Sequence, residues 1–122
     1  MANYPPSKPI IDANNNITSV WRHWFSNLVN PTIKTLANDA TPSVKGGRTF
    51  LTGGTTTITD FDDGYPGQKI TVIAEHSLTI TDGTNIFLDG SANWAMTATD
   101  TLTLICKADG LWYELSRGDN GA

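Results

Sequence analysis

The apolar positions change period along the chain. Ile17, Val20, Trp21, Trp24, Phe25, Leu28 and Val29 recur at steps of three and four, which lines them along one face of a helix. Ser19, Arg22, His23, Ser26 and Asn27 fall on the other face. Asn14, Asn15 and Asn16 offer N-caps, and Asn30-Pro31 ends the pattern. A helix this short is marginal alone because nucleation is costly. Its indoles therefore need a surface: the chain's own β domain, further copies of the helix, or another protein.

From Arg48 onward the period falls to two. Alternating runs at Arg48–Thr52, Thr55–Thr59, Lys69–Glu75, Leu78–Thr81, Asn85–Leu88, Thr101–Cys106 and Trp112–Ser116 predict short strands. Gly53-Gly54, Asp63-Gly64, Pro66-Gly67, Asp82-Gly83, Asp89-Gly90 and Asp109-Gly110 supply the turns between them. Apolar pairs two residues apart recur at Ile70/Val72, Leu78/Ile80, Ile86/Leu88, Trp94/Met96 and Leu102/Leu104. Residues two apart share one strand face, so each repeat gives one strand with an inward pair and then a turn. This predicts a mainly β fold, either a tight meander or β-helix-like stack, or else a sandwich with evenly spaced hairpins.

The N-terminal part reads differently. Pro5, Pro6 and Pro9 remove three amide donors and fix φ, which predicts an extended arm with Tyr4, Ile10 and Ile11 as docking side chains; the plainer alternative is a disordered tail. Residues 30–47, punctuated by Pro31, Pro42, Gly46 and Gly47, read as a linker that Ile33, Leu36 and Val44 pin down. The division expected is an anchoring region at 1–45 and a β domain at 46–122. A β domain of that size buries only about 60% of its unfolded surface. With no disulfide or metal staple in view, oligomerisation is the remaining common remedy. Ile70, Val72, Leu78, Ile80, Ile86, Leu88, Leu102 and Leu104 are the expected oligomer core.

Charge and composition narrow the function. Thr, Gly, Asn and Asp are abundant and only 16% of residues are charged. Residues 1–45 carry Lys8, Arg22, Lys34 and Lys45 against Asp12 and Asp39, whereas beyond them the acids greatly outnumber Arg48, Lys69, Lys107 and Arg117. An acidic domain without a basic stripe is a poor nucleic-acid ligand. No apolar run spans a bilayer, and no basic segment leads into a signal-like apolar one. These features point to assembly in a cytosol, without a membrane or nucleic-acid partner.

Candidate chemistry is sparse. Cys106, the sole cysteine, lies in an alternating apolar run and reads as a buried thiol. His23 and His76 lack the neighbours of a zinc site and read as surface residues. Asp60-Phe61-Asp62-Asp63-Gly64 has part of a calcium loop, but Gly64 occupies a ligand position and the closing acid is missing; a capped turn is the better account. The remaining acids sit mostly beside glycine in turns, which argues against a carboxylate pair for glycan hydrolysis. Nucleophile elbows, P-loops and dinucleotide fingerprints are absent. The expectation is a protein that is not an enzyme, with no cofactor and no metal. Trp94 and Trp112 are candidate exposed aromatic contacts, although Trp94 fits the core period as well. Trp112 and Tyr113 are adjacent on a strand, so one of them faces outward.

Four segments occur in order: Gly67-Gln68-Lys69-Ile70-Thr71-Val72, Leu78-Thr79-Ile80-Thr81-Asp82-Gly83 through Gly90, Asp100-Thr101-Leu102-Thr103-Leu104-Ile105-Cys106, and the closing Gly110-Leu111-Trp112-Tyr113-Glu114-Leu115-Ser116-Arg117. Together they resemble a C-terminal β module of tailed-bacteriophage tail-fibre, tail-spike and small virion proteins. The Trp-Tyr-Glu-x-Ser-Arg closure is the most specific piece. The Pro-rich arm and Trp21-Arg22-His23-Trp24-Phe25-Ser26-Asn27-Leu28 resemble the start of small phage structural proteins. The resemblance implies a short tail or head fibre, decoration or adaptor protein located in the virion and assembled in the host cytoplasm. It implies a homotrimer whose arm and helix dock on other virion proteins (capsid, portal or tail) through Tyr4, Ile10, Ile11, Trp21, Trp24, Phe25 and Leu28. A glycan-binding host-attachment module is the alternative. Shaft repeats and a large receptor domain, found in long fibres, are missing.

Overall fold

Alternation becomes strand in eight places among the described residues, 32–121 of the computed structural model, and no helix occurs among them. The strands are β1 (Ile33–Thr35), β2 (Thr49–Leu51), β3 (Lys69–Ile73), β4 (Leu78–Ile80), β5 (Ile86–Phe87), β6 (Trp94–Met96), β7 (Thr101–Ala108) and β8 (Leu111–Gly118). The protein is mainly β. The arm residues Tyr4, Ile10 and Ile11 and the helix residues Trp21, Trp24, Phe25 and Leu28 lie outside the described residues.

The first three strands stack in parallel. Ile33, Thr49 and Thr71 occupy successive positions across β1, β2 and β3. Parallel neighbours require a crossover of a dozen residues or more, usually a helix. Here the crossovers are irregular but stack on each other too. Ser43 bridges Asp62 in parallel, the Asp62 amide donates to the Pro42 carbonyl at 3.0 Å, and the Thr59 amide donates to the Ala40 carbonyl at 2.8 Å. Ile58 then bridges Ile80 of the following pass. The backbone polar groups of these loops are thus met by the neighbouring pass, as buried backbone demands.

The middle of the sheet is antiparallel and its strands are longer. β7 pairs with β3 on one side and with β8 on the other, and β5 adds in parallel to β8, so the order is β1-β2-β3-β7-β8-β5. β4 and β6 form a separate antiparallel pair. The Asp109-Gly110 turn joins β7 to β8, with Gly110 at φ 83, a conformation glycine adopts without a Cβ penalty.

All five periodic pairs face inward. Ile70, Val72, Leu78, Ile80, Ile86, Leu88, Met96, Leu102 and Leu104 belong to one buried cluster, and half-buried Trp94 packs against it. Two expectations change. The eight residues proposed as an oligomer core are covered by this chain's own side chains: each is at most 5% exposed in the single protomer. The β unit also begins at Ile33 rather than at residue 46. Leu36 and Val44 are buried, at 3% and 0% exposure, because β1 and its crossover form the first stacked pass instead of a linker. Proline and glycine punctuation looks the same in both cases.

Candidate functional site

The closing Trp-Tyr-Glu-x-Ser-Arg segment lies on β8 and does several physically distinct jobs. Trp112 is fully buried. Its Nε1–H donates to the Phe61 carbonyl at 3.2 Å, and its ring meets Phe61 edge-on with centroids 5.7 Å apart. Burying the indole with its N–H satisfied gives apolar contact without stranding a donor. Trp112 is therefore not an exposed contact: Ile86 and Cys106 pair with it from either side, and Tyr113 takes the outward position.

A bulge sets the next residues. Leu104 pairs with Glu114, but Thr103 pairs with Ser116, so Leu115 is the extra residue. In a regular strand, residues three apart point to opposite faces. The inserted residue brings Glu114 and Arg117 to the same face, opposite Leu104 and Leu102. There Arg117 donates through Nε to Glu114 Oε2 at 2.9 Å and through a terminal nitrogen to Oε1 at 2.7 Å. The Asp89 amide donates to Glu114 Oε1 at 2.9 Å. The Glu114 side chain is only 3% exposed, and a buried carboxylate persists when paired and hydrogen-bonded in this way. Arg117 holds its carboxyl below the ordinary value. The guanidinium also lies over the Trp94 ring, 4.3 Å from its centroid, which is cation–π geometry. Trp94 is consequently half covered.

Outside this cluster an aromatic surface remains. Phe87 of β5 pairs with Tyr113 of β8, and their rings stack with centroids 5.3 Å apart. Phe87 is 37% and Leu115 51% exposed. Together with Asp89 and Ser116 they line an open groove. The sequence signal for Phe87 was its place beside the inward pair Ile86/Leu88: the residue between two inward ones points out.

The other chemical candidates resolve into structural roles. The Asp60 carboxylate accepts from the Phe61 amide at 2.7 Å, and Asp63 accepts from the Ser43 hydroxyl, so Asp60 caps the turn and Asp63 ties it to the preceding pass. Among the described residues no group of three His, Cys, Asp or Glu side chains is placed to share a metal ion. Cys106 is buried; burial, then the neighbouring Asp109 and Asp60 charges, push its thiol pKa up, away from nucleophilic character. His76 is partly buried rather than free on the surface, and its Nδ1 shares a hydrogen bond with Thr52 Oγ1 at 2.9 Å. Gln68, part of the first motif segment, is buried, which its polar side chain does not signal. Its Nε2 donates to the Val44 and Gly47 carbonyls at 3.0 and 3.1 Å, joining two stacked passes. No family model matches the chain, and no curated protein matches it significantly.

Two buried carboxylates make stability depend on pH. Asp100 is held low by the Thr97 amide, the largest cause, with the Gly121 amide and the Thr97 hydroxyl adding to it; Glu114 is held low chiefly by Arg117. A lowered folded pKa gives stability that is complete above the unfolded pKa and drains away as pH falls through the folded one. Asp60, raised chiefly by burial, works with the opposite sign and favours the fold at low pH. The net expectation is a melting temperature level down to about pH 5 that falls below about pH 4. Asp100→Asn and Glu114→Gln should each flatten that fall in thermal melts run across pH. An unchanged slope in both would remove these two groups as its cause.

Proposed function

We propose that the protein is a structural component of a tailed-phage virion: a short fibre, decoration or adaptor protein docked by its N-terminal region, with a projecting oligomeric β unit, a homotrimer by resemblance. The observation that carries this reading is the ordered set of four motifs from Gly67 to Arg117. The most specific of them, Trp112 to Arg117, supplies a buried core residue, a buried ion pair and a bulge. Residues of that kind support a fold. The stacking of successive passes in β1, β2 and β3 supports the β-helix-like version of the architecture.

The docking half rests on the amphipathic pattern Trp21, Trp24, Phe25 and Leu28, since aromatic anchors dominate protein interfaces. Trp21→Ala combined with Trp24→Ala is expected to abolish incorporation into particles while leaving the melting transition of the β unit in place. Full incorporation of the double variant overturns the docking assignment.

Glycan-dependent host attachment remains a second reading, now favoured by the Phe87–Tyr113 stack beside Asp89 and Ser116 and no longer by Trp112. Binding on a glycan array that Phe87→Ala removes supports it; an array without hits counts against it.

A further inference from the structure

A second polar cluster lies where the Thr97–Asp100 turn meets the segment Gly118–Gly121. Asp100 is 1% exposed. Its Oδ2 accepts from the Thr97 amide at 2.8 Å and the Thr97 hydroxyl at 3.3 Å, and its Oδ1 accepts from the Gly121 amide at 2.6 Å. The Asn120 side-chain amide donates to the Thr99 carbonyl at 3.2 Å. Thr99 itself stands at φ 81, a strained conformation for a β-branched residue, kept by the Thr99 amide donating to the Ala74 carbonyl at 2.8 Å. Such geometry persists only where the surroundings over-determine it.

Asn120-Gly121 is the one Asn-Gly pair in the sequence. In such a pair the glycine nitrogen, once it has lost its proton, attacks the asparagine Cγ. The N–Cγ bond forms, the Cγ–Nδ2 bond breaks, and ammonia leaves with the proton. Water then opens the cyclic imide at either carbonyl to give aspartate or isoaspartate, with no oxidant or reductant involved. The missing glycine side chain leaves the attack unobstructed, so the sequence alone marks Asn120 as labile.

We propose that Asn120 is a latent deamidation site that Asp100 keeps closed in the folded protein. The attacking nitrogen must give up a proton that it is donating to a carboxylate, and forming an amide anion beside that negative charge is disfavoured. The leaving amide is fixed on the Thr99 carbonyl. Both glycines are packed tightly. A Cβ on Gly121 would meet the Ala98 carbonyl oxygen at 2.7 Å, and one on Gly118 would meet Asn120 Nδ2 at 2.9 Å, so the backbone on both sides of Asn120 has little room to turn the Gly121 nitrogen toward Cγ, and ring closure calls for local opening. Conversion is one-way in effect. The new carboxylate at position 120 stands near Asp100 and Asp119, and like charges oppose reclosure.

The test follows Asn120 conversion by peptide mapping and mass spectrometry of the full-length protein in mildly alkaline buffer, with and without denaturing urea. The folded protein is expected to convert at least about tenfold more slowly than the unfolded one, the factor set by a local opening free energy of about 1.4 kcal/mol. Asp100→Asn, which keeps an acceptor but loses the charge, should speed conversion in the folded protein several-fold. Hydrogen exchange at the Gly121 amide of the unaltered protein gives a second readout that needs no variant, and protection there is expected. Equal conversion rates in folded and unfolded protein, or an unprotected Gly121 amide, overturn the closed site. An unchanged rate in folded Asp100→Asn overturns the role of Asp100.

Discussion

Trp112→Ala is expected to remove about 3–5 kcal/mol of folding free energy. The indole is fully buried in the central cluster, so truncation leaves a cavity bounded by Phe61, Ile86 and Cys106, residues held in separate strands and turns. It also strands the Phe61 carbonyl that the indole N–H now satisfies, a further penalty for a buried acceptor. Against a total stability of about 5–15 kcal/mol for a small domain, this is enough to leave much of the protein unfolded near its normal melting range. Urea unfolding at equilibrium measures it. Trp112→Phe keeps most of the ring volume and loses only the hydrogen bond, so it should cost roughly half as much or less. A loss below about 1 kcal/mol for Trp112→Ala, the size of an ordinary surface change, would contradict the burial of this residue.

Gly53→Ala is expected to have an effect of similar size for a different reason. A Cβ at Gly53 would fall inside contact distance of the Leu36 carbonyl oxygen and 3.1 Å from the Ala37 carbonyl carbon. These are backbone atoms of the preceding pass, and the Leu36 amide is bonded to the Leu51 carbonyl at 2.8 Å. No flexible side chain can yield, so two stacked passes must separate locally. Overpacking of this kind costs typically about 1–3 kcal/mol and more where backbone must shift. Gly67→Ala is the control: open space surrounds its Cβ position, but its φ is 88, so it carries only the left-handed backbone penalty of about 1–2 kcal/mol. Thermal melts of the two variants separate close stacking from backbone strain. Gly53→Ala melting with the unaltered protein would mean that the passes do not lie this close.

Much of the β unit was legible in the sequence because its strands obey a period of two. The inward pairs Ile70/Val72, Leu78/Ile80, Ile86/Leu88 and Leu102/Leu104 follow directly from that alternation, and all eight residues are buried. β1 was not legible. Ile33–Thr35 is exposed along its length and lies among turn residues, so only its pairing with β2 marks it as a strand. The choice between a stack and a meander was open in the sequence, since alternation is identical in parallel and antiparallel neighbours. The run Thr55–Thr59 alternates yet yields only the isolated bridge at Ile58, showing that alternation without a partner of matching length does not make a strand.

The candidate site was legible in its residues but not in their roles. The closing motif stood out, but spacing alone places Glu114 and Arg117 on opposite faces. The bulge at Leu115 that unites them depends on its partner strand β7. For the same reason Trp112 and Tyr113 could be assigned opposite faces from sequence, whereas which of them faces inward depends on the sheet being covered on that side. Asp100 carried no signal of burial at all; its carboxylate is buried because the turn and the segment around Gly121 bring amide donors to it.

Protein mass spectrometry of gradient-purified phage particles, produced by the genome that encodes the chain, tests whether it is a structural part of the virion. The protein is expected to co-purify with intact particles at a fixed ratio to the capsid protein and to survive repeated banding. Abundance in the lysate together with absence from banded particles would mean that the protein is not a part of the virion.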